Sequence, residues 1–224
     1  MKKDLATQYN NVAETYNSVF GEMNAKSVAS FKESIIPLLG NVKSAIDLGC
    51  GQGDMIGYFQ SLGITCAGVD TSLEMVTFAR RAVNADIRVE DFAHTSFENG
   101  SFDLVTSKWA IQTASDIDPI YQETARILQP GGHCVFLVVH PFRHFLEKKK
   151  QGKNYFKQEI VDSIIFDGAI TVHEPSHTVA DYLSDEFLRR FSLMHIREAD
   201  EFPAAEQIGG DIYPTYLIIV GQKK

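Results

Sequence analysis

The 224-residue chain reads as an α/β protein built on a mostly parallel sheet. Three observations predict it. Short apolar runs alternate with helix-like segments between residues 44 and 139, the pattern of strands joined by helical crossovers. Acids stand at or near the ends of three of those runs: Asp47, Asp70 and Asp91. Between the first apolar run and the first helix-like segment lie three glycines in five residues, Gly49-Cys50-Gly51-Gln52-Gly53. Glycine has no Cβ, so such a turn is tight and lets a ligand approach the backbone.

The elements follow in order. Residues 4–20 and 24–39 read as helices, with Gly21 breaking between them and Pro37-Leu38-Leu39-Gly40 closing the second. Ala45-Ile46 marks the first strand, and residues 55–62 the helix after the glycine turn. Residues 64–70 form a second strand, and Ser72-Leu73-Glu74-Met75-Val76 opens the next helix. Residues 86–89 and 101–107 are the third and fourth strands, and Leu128-Gln129-Pro130-Gly131-Gly132 turns into a fifth. Residues 141–180 are an insertion, in which residues 160–166 and 169–173 flank Asp167-Gly168, a pair suited to a type I′ hairpin turn. Thr178-Val179-Ala180-Asp181 fits a capping box opening a helix that runs through Arg190. Residues 191–197 are a sixth strand and residues 215–220, apolar and β-branched, the last. The expectation is one domain over 1–224: a helical lid (1–40), a ligand-binding core (41–140), an insertion facing the substrate (141–180) and closing helix and strands (181–224).

Bulk properties bound the function. The length suffices for one sizeable core, and 44% hydrophobic residues is ordinary for a globular chain. The formal net charge of −8 argues against a nucleic-acid partner. The basic cluster Lys148-Lys149-Lys150, with Lys153 and Lys157, reads as a solvated helix face. Cys50, Cys66 and Cys134 cannot all pair, so buried free thiols in a reducing cytoplasm are expected. Met1-Lys2-Lys3-Asp4 leads into a polar helix rather than a leader sequence, and no apolar run reaches membrane-span length. The oligomeric state, monomer or homodimer, is left open.

The glycine run discriminates between nucleotides. A dinucleotide turn, G-x-G-x-x-G, would place its third small residue at Asp54, which is charged. The glycines instead run G-x-G-x-G after Asp47, and an acid there suits a ligand with an ammonium group better than a pyrophosphate. Asp47-Leu48-Gly49-Cys50-Gly51-Gln52-Gly53 resembles motif I of the class I S-adenosylmethionine (SAM)-dependent methyltransferases. Asp70, at the end of the second strand, is placed to accept from both ribose hydroxyls. Ser101-Phe102-Asp103-Leu104-Val105-Thr106-Ser107 resembles the family's fourth strand, and Ile127-Leu128-Gln129-Pro130-Gly131-Gly132 its turn into strand five.

The resemblance implies a Rossmann-like, seven-stranded, mostly parallel sheet with helices on both faces. Its last strand would be antiparallel, between strands five and six. It implies SAM as cofactor, held by Asp47, Gly49, Cys50, Gly51, Gly53, Asp70 and Thr71. It further implies Met75 and Phe92 against adenine, Asp91 at the adenine amino group, and Ser107 and Gln112 near the methionine end. Tyr9 and Tyr16, seven apart on one helix face, would close a lid with Phe20.

For the substrate side the expected residues are Trp109, Gln112, His140, Tyr155 and His177, with Asp211 in the loop before the last strand. His140-Pro141-Phe142, Asn154-Tyr155-Phe156 and His177-Thr178 are similar to a small-molecule branch resembling ubiquinone- and menaquinone-biosynthesis methyltransferases. His140, His173 and His177 are the candidate general bases. Gln112, where the family often has histidine, can orient a substrate but is a poor base. The pairs His140/His144 and His173/His177 have the i,i+4 spacing of a helical metal pair. Pro175 breaks the second, methyl transfer needs no metal, and no metal is expected. The expected activity is methyl transfer to an oxygen or nitrogen of a small molecule. The alternatives are a SAM-binding protein without turnover and an NAD-dependent oxidoreductase.

Overall fold

The computed structural model describes residues 5–23, 25–148, 151–165, 169–200 and 212–224. The N-terminus supplies α1 (Leu5–Met23) and α2 (Ala25–Ile35). The expected break at Gly21 is not observed, because α1 continues through it. The second helix stops at Ile35, before Pro37, and a 3-10 turn (Ile36–Asn41) carries the proline. Proline has no N–H and disfavours the α conformation at the residue before it, so the α-helix ends early.

Strand and helix then alternate: β1 (Ser44–Leu48), α3 (Asp54–Ser61), β2 (Thr65–Asp70), α4 (Leu73–Ala82), β3 (Asp86–Val89), β4 (Phe102–Lys108), α5 (Asp118–Ile127) and β5 (Leu128–Val139). The insertion contributes α6 (Pro141–Glu147) and a hairpin of β6 (Ile160–Ile165) and β7 (Ile170–Pro175). Its Asp167-Gly168 turn lies outside the described residues. The Thr178 capping box is present, but α7 (Val179–Tyr182) is one turn long. The chain restarts as α8 (Asp185–Arg190) because Ser184 caps a new helix by accepting from the Phe187 N–H. The single helix expected through Arg190 is therefore two. β8 (Phe191–Ala199) and β9 (Tyr216–Lys223) close the fold.

The large sheet has the order β3-β2-β1-β4-β5-β9-β8. Pairs from β3 to β5 are parallel, and β9 runs antiparallel to both β5 and β8. Side chains alternate across it with the period of two that strands impose. Cys134, Phe136 and Val138 of β5 point to one face, with Tyr121 of α5, Tyr182 and Phe187. Val135 and Leu137 point to the other, with Phe31 of α2, Phe59 of α3 and Val76 of α4. Cys50, Cys66 and Cys134 are all free and buried. No helix among the described residues is long and apolar enough to cross a membrane.

The order reverses at β1, whose neighbours are β2 and β4. Ligands of such sheets bind beyond the carboxyl ends of the strands at this switch point. The insertion hairpin packs over that rim against α1: buried Ile170 and Val172 meet Tyr9, Val12 and Tyr16.

Candidate active site

β1 delivers the glycine turn to the switch point. Gly49 has φ +73°, and a Cβ there would stand 2.3 Å from the Ala110 Cβ. The turn after β1 thus presses against the turn after β4, and only glycine permits it. Gly49 and Cys50 donate their N–H groups to the Val69 carbonyl at 2.8 and 2.9 Å, tying the turn to β2. Gly51 has φ +51°, and a Cβ on it would meet nothing within 4 Å. Its bare backbone forms part of a cavity wall.

That cavity has a volume of about 610 Å³. Asp70 lies at its edge, with the Gly51 N–H donating to Oδ2 at 3.0 Å and the Ser72 N–H to Oδ1 at 2.9 Å. Burial raises the Asp70 carboxyl above its ordinary range, and the N–H groups of Ser72, Gly51 and Thr71 oppose that rise. Both oxygens are thereby fixed, and each keeps a lone pair for a hydroxyl donor. Thr71, Met75, Asp91 and Phe92 line the same cavity. Asp91 is oriented by the Ala93 N–H, 2.8 Å from Oδ1.

Tyr9 and Tyr16 of α1 complete the wall. Helix α1 is held by Asn10, whose Oδ1 accepts from the Ser72 hydroxyl at 2.6 Å and the Glu74 N–H at 3.3 Å. Gln8 Oε1 accepts from the His173 N–H at 2.9 Å. Burial, reinforced for Tyr9 by Glu174 and for Tyr16 by Asp54, pushes both phenols well above their ordinary range. Both therefore stay protonated near neutral pH. The Phe20 side chain lies outside the described residues.

Beside the glycine turn a smaller recess is lined by Asp47, Cys50, Asp54 and Lys108. Asp47 is buried and accepts from the Thr106 hydroxyl at 2.7 Å. Burial pushes its carboxyl up to about 7, against the Thr106 hydrogen bond and the Lys108 charge. Lys108, the last residue of β4, lies 3.6 Å from Asp54 and is lowered by burial. The sequence reading missed it, although its strand-end position was a signal for it. With carboxylates and an ammonium together, the recess can receive an amino-acid group, which carries both charges.

Past Lys108 the chain makes a strained turn. Trp109 has φ +58°, costly for a bulky side chain, and its N–H is anchored to the Leu137 carbonyl at 2.8 Å. The indole lines the large cavity and also a second one, of about 50 Å³. Tyr9 and Tyr16 are shared in the same way. Gln112, 3% exposed, lines the second cavity. Val139 at the end of β5 adds to its wall, and the rest comes from the insertion: Arg143 of α6, Ser163 and Ile165 of β6, Val172 and Glu174 of β7.

Arg143 and Glu174 were not expected. Strand alternation could have found Glu174. Val172 is apolar and buried, so Glu174 shares its face and His173 does not.

The three candidate histidines line neither cavity. His140 is the N-cap of α6: Nδ1 accepts from the Phe142 N–H at 3.0 Å, and Nε2 meets Glu198 at 2.7 Å. Both ring nitrogens are taken up in holding the insertion. His173 pairs through Nδ1 with Asp162 at 2.6 Å, on the face of β7 opposite Glu174. His177 is buried, with Nε2 hydrogen-bonded to the Gln112 carbonyl at 2.9 Å, and burial lowers it.

Tyr155 accepts from the Val179 N–H at 2.9 Å and packs on Phe145 and Phe156, away from both cavities. Ser107 is fully buried and donates to the Leu48 carbonyl at 2.7 Å, clamping β4 to β1. Gly53 caps α3 behind the turn. Asp211 lies outside the described residues.

Residues 46–136, which run from β1 to β5, match the family described as "Methyltransferase domain". That stretch is similar to a methyltransferase domain and covers the strands and turns that build the cavity. A malonyl-[acyl-carrier protein] O-methyltransferase of Enterobacter lignolyticus is 27% identical over 68% of this chain and 66% of its own. A ubiquinone biosynthesis O-methyltransferase of Ralstonia nicotianae is 30% identical over 48% of this chain and 47% of its own. The chain thus spans about half to two thirds of the length of these relatives. Among solved structures, an S-adenosylmethionine-dependent methyltransferase from Mesorhizobium loti superposes with a TM-score of 0.68 at 21% identity. That match covers 92% of this chain and 100% of the other.

The candidate site fits SAM on two observations. The Gly51 backbone leaves room that a Cβ would fill. The polar groups fall in the order hydroxyl acceptor (Asp70), apolar slot (Met75, Phe92) and doubly charged recess (Asp47, Lys108).

Proposed function

We propose that the chain transfers a methyl group from SAM to an oxygen or nitrogen of a small-molecule acceptor. The observation that carries this reading is the pair of cavities sharing Tyr9, Tyr16 and Trp109 as a common wall. The large one has the groups for an adenosine, and the recess beside it those for an amino acid; the small one lies beyond the three rings. SAM supplies a methyl already activated by positive sulfur.

The protein's task is alignment. Asp70 holds the ribose hydroxyls, Met75 and Phe92 sandwich the adenine, and Asp91 accepts from its amino group. Asp47 and Lys108 take the ammonium and carboxylate of the methionine end. Trp109, Tyr9 and Tyr16 exclude water around the transferring carbon, and Gln112 orients the acceptor. In-line positioning of this kind contributes on the order of 7–11 kcal/mol. The acceptor's lone pair forms the new bond to carbon as the carbon–sulfur pair returns to sulfur, leaving S-adenosylhomocysteine. No histidine is assigned as base, since each candidate ring is engaged elsewhere. The three buried thiols support a cytoplasmic setting.

The test is transfer from methyl-labelled SAM to a panel of small alcohols, phenols, amines and acids, read as S-adenosylhomocysteine release. Release that depends on an acceptor supports the reading. Tight SAM binding with no release across the panel would point to a binding protein without turnover, and nicotinamide turnover would replace the reading.

A further inference from the structure

The second cavity is lined by a buried carboxylate, Glu174, that pairs with His144 through one oxygen and leaves the other without a hydrogen-bond partner among the described residues. Glu174 is 1% exposed and lines the cavity. Its Oε1 meets His144 Nε2 at 3.2 Å, while Oε2 has no partner among the described residues. The nearby Ser163 hydroxyl donates to Glu147 at 3.0 Å. Against the upward push of burial, His144, Ser163 and the Arg143 charge together hold the Glu174 carboxyl below its ordinary range. The cavity's cation is spoken for as well. Arg143 Nε donates to Glu147 Oε1 at 2.8 Å and Nη2 to the Ile164 carbonyl at 3.0 Å. A second acceptor in the wall, Gln112 Oε1, is also buried without a partner. Leaving a buried charged acceptor unpaired is costly. Two unpartnered acceptors in one small cavity, one on a carboxylate and one on an amide, mark a place where a ligand's donors belong. The Trp109 Nε1–H, also buried there without a partner among the described residues, leaves room for one ligand acceptor.

Three aromatic rings, Tyr9, Tyr16 and Trp109, line the same cavity. Aromatic faces attract cations, most of all where water is excluded. The volume of about 50 Å³ compares with the roughly 10–15 Å³ that a water needs on the same measure. It therefore admits a headgroup of a few heavy atoms and no ring system.

Resting on the methyltransferase reading of the site, we propose that the acceptor carries a small protonated amine, held by Glu174 and Gln112 among Tyr9, Tyr16 and Trp109. An acidic acceptor would set its carboxylate against Glu174. A purely apolar one would leave both acceptors unsatisfied. Glu174 is a specificity residue in this scheme: it selects the ammonium headgroup, whose nitrogen has no lone pair and is not the methylated atom, and so orients another oxygen or nitrogen of the acceptor toward the wall shared with the cofactor's cavity.

The test uses the whole chain with saturating S-adenosylhomocysteine and three probes of matched length: propylammonium, propan-1-ol and propionate. Binding is followed by ligand-observed NMR titration. Propylammonium is expected to bind at least tenfold more tightly than either other probe. Glu174→Gln should abolish that preference while S-adenosylhomocysteine affinity, which reports an intact fold, is retained. Equal or tighter binding of the alcohol or the acid by wild type would overturn the proposal, as would binding of none of the three by protein that holds S-adenosylhomocysteine. The wild-type comparison decides even where the variant does not fold. Failure of folded wild type to bind S-adenosylhomocysteine would instead overturn the cofactor reading, and the proposal with it.

Discussion

Asp47 lies buried at the end of β1 with one oxygen held by Thr106, and burial pushes its carboxyl up to about 7. In an unfolded chain an aspartate titrates near ~3.9. The folded state therefore binds this proton more tightly. The stability it lends is full below about pH 4 and is lost as the pH rises through 7. Asp47→Asn should gain stability relative to wild type over that window, by on the order of 2–4 kcal/mol, read from denaturant melts at pH 4 and pH 8. An ammonium ligand needs the ionised form. Wild-type affinity for S-adenosylhomocysteine should thus rise between pH 6 and pH 8, whereas that of Asp47→Asn should stay flat. A wild-type affinity that falls over this range would count against Asp47 as the ammonium partner. At this scale the sequence revealed residue types better than directions. Asp70 and Asp91 line the cavity because strand ends must meet there. His140 and His173 have the chemistry of a base, but their directions depend on a helix cap and a strand face that a residue type does not record.

The element that closes the site is α1, pinned to the start of α4 by Asn10. Asn10→Ala removes two hydrogen bonds, each contributing about 0.5–1.5 kcal/mol. The expected result is roughly a tenfold weaker SAM affinity with little change in melting temperature, since α1 packs on the hairpin rather than the sheet core. An unchanged affinity would remove α1 as a lid. The opposite pattern is expected for α6. His140→Ala deletes its N-cap and the Glu198 contact, which costs about 1 kcal/mol. That lowers the melting temperature by roughly 2–4 °C and leaves S-adenosylhomocysteine affinity as it was. Loss of affinity without loss of stability would restore His140 to the site. Helix ends were the least legible feature. Ser184 recaps the chain after one turn of α7, and α1 runs through Gly21, because local capping and tertiary support override breaker residues.

Across the whole molecule, the alternation of strands and helices was legible because a parallel sheet buried on both faces demands it. The glycine turn, the strand-end acids and the final antiparallel strand all followed from that pattern and from the resemblance it carried. The substrate side was not legible. Its walls come from α1, α6, β6 and β7, which are far apart in sequence, and only packing brings Gln112, Arg143 and Glu174 together. The three thiols belong to this scale too. Burial raises each of them, Cys66 to about 12. Native protein should not react with a thiol reagent at pH 8, and unfolded protein should yield three equivalents; reaction of any thiol in the native state would contradict the buried placement.

In the proposed reaction Asp70 and its neighbours hold SAM. Calorimetric titration of wild type and Asp70→Ala with SAM and with S-adenosylhomocysteine measures that grip. Wild type should bind both at micromolar concentration or tighter. Loss of two hydrogen bonds to a charged acceptor, at about 1.5 kcal/mol each, should weaken the variant roughly a hundredfold, measured on protein that a thermal melt shows to be folded. Folded wild type that binds neither compound, or a variant that binds as tightly as wild type, would contradict that hold on SAM.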